Sequence, residues 1–257
     1  ALIRDQMDTA FQSVTDWLLF GSVDFDYISE SLLPSQCDRG ANPLRVGKME
    51  YDVIIVPECE TLRSSTVARL ADFLAGGGKL IFMGSAPRYV DAGVERAAEA
   101  IGLYNSADAE RISFSRGALL TALEPYRTVD IRNTNGSITD NLVHQLRRDG
   151  DGMWLFVCPG KDPYNPDISR RQSIKITVRG SFDVTLYDTV TGDITPRASE
   201  LSNGFTVINH TLNQYDSLLY RLTPRAAATS GNEAPASQPA KPARPKPEVR
   251  RTDPGFI

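Results

Sequence analysis

One stretch constrains the fold more than any other: Tyr51 to Gly84, YDVIIVPECETLRSSTVARLADFLAGGGKLIFMG. Val53 to Val56 is an apolar run too short for a helix, bounded by Asp52 and Pro57, as a buried parallel strand requires. Val67, Leu70, Phe73 and Leu74 then recur at helical spacing on one face, with Ser64 or Ser65 placed to cap the helix start. Gly76, Gly77 and Gly78 stop this helix, because glycine tolerates the left-handed conformation at a helix C-terminus. KLIFMG supplies the next buried strand. Strand, helix and strand in this order predict a parallel pair joined by a right-handed crossover.

The flanking sequence extends the pattern. ALIRDQMDTAFQSVTDWLLF is an amphipathic helix with apolar positions at Leu2, Met7, Phe11, Val14 and Leu18. VDFDYISESLL reads as a short strand or turn followed by a helical turn that Pro34 ends, and VERAAEAIGL as a helix after Asp91. Residues 1–123 are therefore expected to form an α/β domain with a flavodoxin-like parallel sheet. From about Tyr126 the pattern becomes short strands at roughly ten-residue spacing: GMWLFVCPG, SIKITVRG, DVTLYDTVTGD, GFTVINHTL and SLLYRLTP. Strict alternation in SIKITV and DVTLYD predicts one wet face, so residues 124–225 are expected to be an all-β domain, an antiparallel β-sandwich. Residues 226–257 are rich in Pro, Ala, Ser and Lys and read as a linker or tail leading to something further. A chain that enters directly into a helix reads as a fragment or processed piece of a longer protein.

Composition narrows the partners. The net charge of −4 offers no basic field for nucleic acid or an anionic membrane, and no run approaches the roughly 20 apolar residues of a membrane span. Cys37, Cys59 and Cys158 are widely spaced without a CxxC pair, which indicates neither a disulfide framework nor a zinc site; one disulfide stays open. No metal or cofactor is expected.

The candidate chemistry is sparse. Cys59 stands at a strand end, where a nucleophile needs small neighbours and a histidine base. Its neighbours are Glu58 and Glu60, whose charge raises a thiol's pKa, and the two histidines, His144 and His210, belong to the strand-rich half. Cys59 is therefore read as an ordinary thiol. The glycines of AGGGKLIFMG follow a helix and open a strand, the reverse of a phosphate-binding loop. Glu58 and Glu60 sit where open α/β sheets place ligands, and Asp24 and Asp26 can likewise reach one site; either pair reads as solvated turn or as substrate contact. His144 falls in a hairpin turning at Asp149-Gly150 and Asp151-Gly152, and is structural in this reading, as is His210. Trp154 and Tyr187 read as sheet residues, or as an aromatic surface on which a sugar stacks.

These residues carry a resemblance. YDVIIVPECETLRSSTVARLADFLAGGGKLIFMGSAP resembles the glutamine-amidotransferase-like, flavodoxin-type accessory domain of large glycoside hydrolases, notably the α-L-rhamnosidase group and the trimerising β-galactosidases. VHQLRRDGDGMWLFVCPG and SFDVTLYDTVTGDITP are similar to the β-hairpins that follow in those enzymes, with Cys158-Pro159 where they carry an asparagine. The resemblance implies a non-catalytic, C-terminal portion of a carbohydrate-degrading enzyme, because no stretch here could supply the roughly 200 residues of a (β/α)8 barrel. It implies no catalytic residue in this chain, the enzyme's own catalytic domain as partner, an oligosaccharide substrate and a homo-oligomer, and export to the cell surface or beyond. Substrate contacts would come from Glu58, Glu60, Ser85 and Arg88 on the loops after the parallel strands, and from Trp154. Two other readings stand beside it: a carbohydrate-binding or assembly module, and an independent enzyme using Cys59.

Overall fold

Alternation along two short strands decides how the first half of the protein is layered. The computed structural model describes residues 2–91, 93, 97–163 and 165–225; the proline-rich stretch 226–257 lies outside the described residues. The elements of the first half are α1 (Leu2–Leu19), α2 (Leu33–Gln36), β1 (Leu44–Val46), β2 (Met49–Tyr51), β3 (Val53–Val56), β4 (Thr61–Leu62), α3 (Ser64–Ala75), β5 (Lys79–Met83), β6 (Tyr89–Val90), α4 (Ala97–Tyr104), β7 (Glu110–Ile112) and α5 (Arg116–Leu123). Strands β3, β5 and β7 form a parallel sheet in that order, with Val53 opposite Lys79 and Ile81 opposite Glu110. Successive side chains leave a strand on opposite faces. Ile54, Val56, Leu80 and Phe82 accordingly join Val67, Leu70, Phe73 and Leu74 of α3 and Leu103 of α4 in one core. Val53, Ile55, Ile81 and Met83 face the other way, onto Val14 and Leu18 of α1 and Leu119 and Leu123 of α5.

Local details depart from the sequence reading. Neither Ser64 nor Ser65 caps α3. Arg63 holds the N-cap position, and the free N–H groups are taken by carboxylates from other segments: Ser64 N–H donates to Asp91 at 2.9 Å and Arg63 N–H to Glu30 at 3.0 Å. Pro34 lies in the first turn of α2 and opens that helix rather than ending one, since proline's missing N–H is harmless there. VDFDYI forms no strand; its residues line the same cleft as β3. On the predicted face of α1, Val14 and Leu18 bury while Met7 and Phe11 are exposed. Part of VERAAEAIGL lies outside the described residues, and the helix is described from Ala97.

After a short 3-10 turn, Glu124–Tyr126, every further element among the described residues is a strand. These strands are β8 (Val129–Asn133), β9 (Leu142–Asp149), β10 (Gly152–Pro159), β11 (Arg171–Arg179), β12 (Phe182–Tyr187), β13 (Ile194–Arg197), β14 (Glu200–Ser202), β15 (Phe205–Asn213) and β16 (Leu218–Pro224). They build two antiparallel sheets, ordered β13-β12-β16-β10-β9 and β14-β15-β11-β8. Ile174, Ile176 and Ile208 from the four-stranded sheet share one core with Leu155, Val157, Tyr220 and Leu222 from the five-stranded sheet. The expected hairpin joins β9 to β10, and Gly150 takes φ +61° at its tip, a conformation glycine adopts without penalty. Strand β8 and the short β14 were not anticipated from the sequence, whereas β13 is the second arm of the hairpin that SFDVTLYDTVTGDITP resembles. The protein thus mixes parallel and antiparallel sheets and is mostly strand.

Candidate functional site

The loops after β3 and β5 bring four of the sequence candidates together. Gly84 ends β5 at φ +79°, and a Cβ built there would lie 3.2 Å from the carboxyl carbon of Glu58, so the Glu58 side chain lies directly over this glycine. The carbonyl of Glu60 accepts from the N–H of Arg88 at 2.9 Å and of Tyr89 at 3.0 Å, which ties the loop after β3 to the loop after β5. Glu58, Ser85 and Arg88 are exposed and Glu60 half-buried. Trp154 belongs to a different cluster. It stands on β10, donates from Nε1 to Asp149 at 3.0 Å, meets the Tyr187 ring edge-on at 4.8 Å and lies 5.1 Å from the Arg221 guanidinium. One ring face and one edge of this indole are thus already engaged by the protein.

All three cysteines are free. Burial, followed by the charges of Glu30 and Glu58, pushes the Cys59 thiol up to about 12, so it is fully protonated at neutral pH. The sequence names Glu58 correctly as one source of this field but Glu60 wrongly as another; the second charge is Glu30, from a segment 29 positions earlier (59 − 30). Burial also lowers the His144 imidazole, with Asp24 opposing, and lowers His210, where Arg197 adds to the effect and Asp216 opposes it. His210 Nδ1 lies 2.9 Å from the Tyr220 hydroxyl. Both histidines are therefore neutral at pH 7.

A cleft of about 920 Å³ opens on the other side of β3. β3 is an edge strand. The Asp52 carbonyl accepts from Lys79 N–H, so alternate residues Ile54 and Val56 also address β5, while Val53 and Ile55 turn their N–H and C=O groups to the free edge. That edge forms one wall, and α1 with residues 22–30 forms another. Residues 127–129, His144, Leu146, Arg148 and Met153 complete it. At β3's end the cleft receives Pro57, Cys59 and Thr61, the residues alternating with Glu58 and Glu60. Its mouth carries an aromatic group: Phe11 and Tyr27 lie 5.1 Å apart, and Phe25 meets Tyr27 edge-on at 5.4 Å. Tyr27 is 58% and Phe11 50% exposed. Tyr51 donates its hydroxyl to Asp26 at 2.9 Å, and burial with that neighbour raises its pKa to about 12.

Sequence reasoning singled out Asp24, Asp26 and His144 but missed the cleft's aromatic and hydroxyl groups. The available signal was the alternation in VDFDYI, which sets Val23, Phe25 and Tyr27 against Asp24 and Asp26. Among the described residues, no group of three or more His, Cys, Asp or Glu side chains could hold a metal ion.

No family model matches this sequence, and a search of curated proteins finds no match. Solved structures do match. A rhamnosidase from Novosphingobium sp. PP1Y aligns with a TM-score of 0.60 at 17% identity, over 82% of this chain and 21% of that one. An alpha-L-fucosidase, isoenzyme 2 from Paenibacillus thiaminolyticus, aligns with a TM-score of 0.52 at 10% identity, over 84% of this chain and 45% of that one. The likeness is one of fold to parts of glycoside hydrolases; the chain spans about a fifth of the rhamnosidase and under half of the fucosidase.

Proposed function

We propose that this chain is a non-catalytic portion of a carbohydrate-degrading glycoside hydrolase. In this reading an α/β scaffold of the glutamine-amidotransferase-like, flavodoxin type, followed by a β-sandwich, buttresses the catalytic domain of the same enzyme. The scaffold would also border its sugar cleft or form an oligomer interface. The observation that carries the reading is the fold likeness to one-fifth of a rhamnosidase, which runs through 82% of this chain. The setting of Cys59 adds to it, because a thiol held near 12 beside two carboxylates is a poor nucleophile, which counts against an independent cysteine-dependent enzyme. Glu58, Glu60, Ser85 and Arg88 keep their place as candidates for the border of the sugar cleft, on the loops after the parallel strands. The test is reconstitution. The chain alone is expected to leave aryl rhamnosides, fucosides and galactosides intact, and joining it to the remainder of its reading frame is expected to restore cleavage. Turnover of any of these by the chain unaided would overturn the proposal.

A second reading, a carbohydrate-binding module, is favoured by the cleft beside β3. Binding of a sugar there, with no gain of hydrolysis on joining the rest of the reading frame, would select it.

A further inference from the structure

Every consecutive residue of 50–57 lines the β3 cleft, and so does every residue of 22–30. Successive side chains of a strand leave on opposite faces. A cleft that meets all of them therefore lies along the edge of β3, in the plane of the parallel sheet, rather than on one face. The opposite bank continues that plane: Val23 and Phe25 pack against the core shared with α1 and α5, and Ile28 against the core shared with α3. Among the described residues, no backbone hydrogen bond joins the two banks. The second bank is held where it stands. Tyr51 donates to Asp26 at 2.9 Å, Arg63 N–H donates to Glu30 at 3.0 Å, and the Thr15 and Tyr27 hydroxyls lie 2.6 Å apart.

The slot between the banks has the dimensions and the chemistry of one further strand. Strands lie about 4.8 Å apart in a layer about 10 Å deep and rise about 3.3 Å per residue, so six residues of strand fill about 950 Å³. The cleft holds about 920 Å³. Val53 and Ile55 turn evenly spaced N–H and C=O groups into it, the ladder that an extended backbone answers. Their side chains are only half-buried, whereas Leu80 to Met83 of the neighbouring β5 are all buried; a strand at this edge would cover them. Core layers lie on both sides of the sheet plane, so the incoming segment is apolar on both faces. Its flanks are cationic: Asp24, Asp26, Glu30, Glu50 and Asp52 line the cleft against Arg127 and Arg148, and Arg127 is already held by Asp130 and Glu124. A free peptide this short binds weakly, because ordering its backbone offsets most of the gain, whereas a strand tethered in the same polypeptide acts at an effective concentration of about millimolar. We infer that this slot seats a strand of about six residues, apolar on both faces and flanked by lysine or arginine, contributed by the remainder of the enzyme. The inference rests on the proposed function and names the contact through which this chain joins its catalytic partner.

The experiment is amide hydrogen exchange, on the full chain alone and on the chain joined to the remainder of its reading frame. Alone, Val53 and Ile55 should exchange at least about 100-fold faster than Ile54 and Val56, whose N–H groups address β5. On joining, both should slow by about 100-fold or more. A probe peptide, Lys-Thr-Val-Ile-Val-Thr-Lys at millimolar concentration, should slow the same two amides in the chain alone, and its form N-methylated at the apolar residues should lose the effect. Asp24 and Asp52 are exposed, and the double variant Asp24→Asn with Asp52→Asn should weaken this peptide about tenfold while leaving a threonine-flanked version unchanged. Three outcomes would overturn the inference: Val53 and Ile55 already as protected as Ile54 in the chain alone, no slowing on joining, or the same response to both peptides or to neither. Restored hydrolysis without new protection discards the strand and leaves the proposed function standing. New protection without restored hydrolysis keeps the strand and discards that function.

Discussion

Alkylation of the native chain by iodoacetamide, followed on the Cys59 peptide between about pH 7 and 10, reads the environment of that thiol directly. Its pKa is pushed from 9.0 to about 12. At pH 8 an ordinary thiol of pKa 9.0 holds about one thiolate in ten, whereas Cys59 holds about one in ten thousand. The deficit is thus about 1,000-fold. A more basic thiolate attacks faster, by roughly 10^0.4 to 10^0.5 for each tenfold loss of acidity, which recovers about 15- to 30-fold. Alkylation should therefore run about 30- to 60-fold slower than for an unhindered thiol, before steric shielding is counted, and should quicken about tenfold per pH unit throughout the range. Glu58→Gln removes one of the two charges acting on the sulfur and should speed the reaction, while Glu60→Gln should leave it unchanged. A rate equal to that of a free thiol at pH 7, or one that levels off below about pH 9, would refute the reasoning and revive a cysteine-dependent activity.

Other expectations follow from the cores and the buried polar groups. Phe73 is fully buried between α3 and the parallel sheet, so Phe73→Ala should cost about 3–5 kcal/mol in urea unfolding, and a loss under about 1 kcal/mol would contradict the packing described. The Thr206 hydroxyl accepts from Phe182 N–H at 2.9 Å and donates to the Gly180 carbonyl at 2.8 Å. Thr206→Val strands both groups and should cost about 1–3 kcal/mol, whereas Thr206→Ser should restore most of the loss. His144 and His210 have folded-state pKa values depressed by burial, so the unfolded chain binds more protons near and below pH 6.5. Their contribution to stability is complete above about pH 6.5 and is lost as pH falls towards the folded values; a urea midpoint that rises on mild acidification would be inconsistent with this.

Legibility from the sequence differed by element. Val53–Val56, the α3 face and the strand from Lys79 were readable because apolar spacing and the terminating glycines all operate within a few residues. Strands β10, β11, β12, β15 and β16 of the second half were readable for the same reason, since their period of two survives without knowledge of the partner strand. Met7 and Phe11 share the apolar face read for α1 yet stay exposed, because helical periodicity says which residues share a face but not whether that face is covered. The caps of α3 were misassigned because their acceptors, Glu30 and Asp91, lie 33 and 27 positions away from the N–H groups they satisfy.

The sequence by itself determined the alternation of strand and helix and the change to antiparallel strands, since each follows from neighbours along the chain, and it supplied Glu58 as the nearer charge on Cys59. Only the tertiary structure decided that β3 is an edge strand among the described residues, that Phe11, Phe25 and Tyr27 meet at its cleft, and that burial and Glu30 act on Cys59 more strongly than its sequence neighbour Glu58. The physical reason is distance in sequence: a cleft is made of surfaces from α1, β3 and β8 to β10 that meet only once packing sets which faces are covered and which stay open.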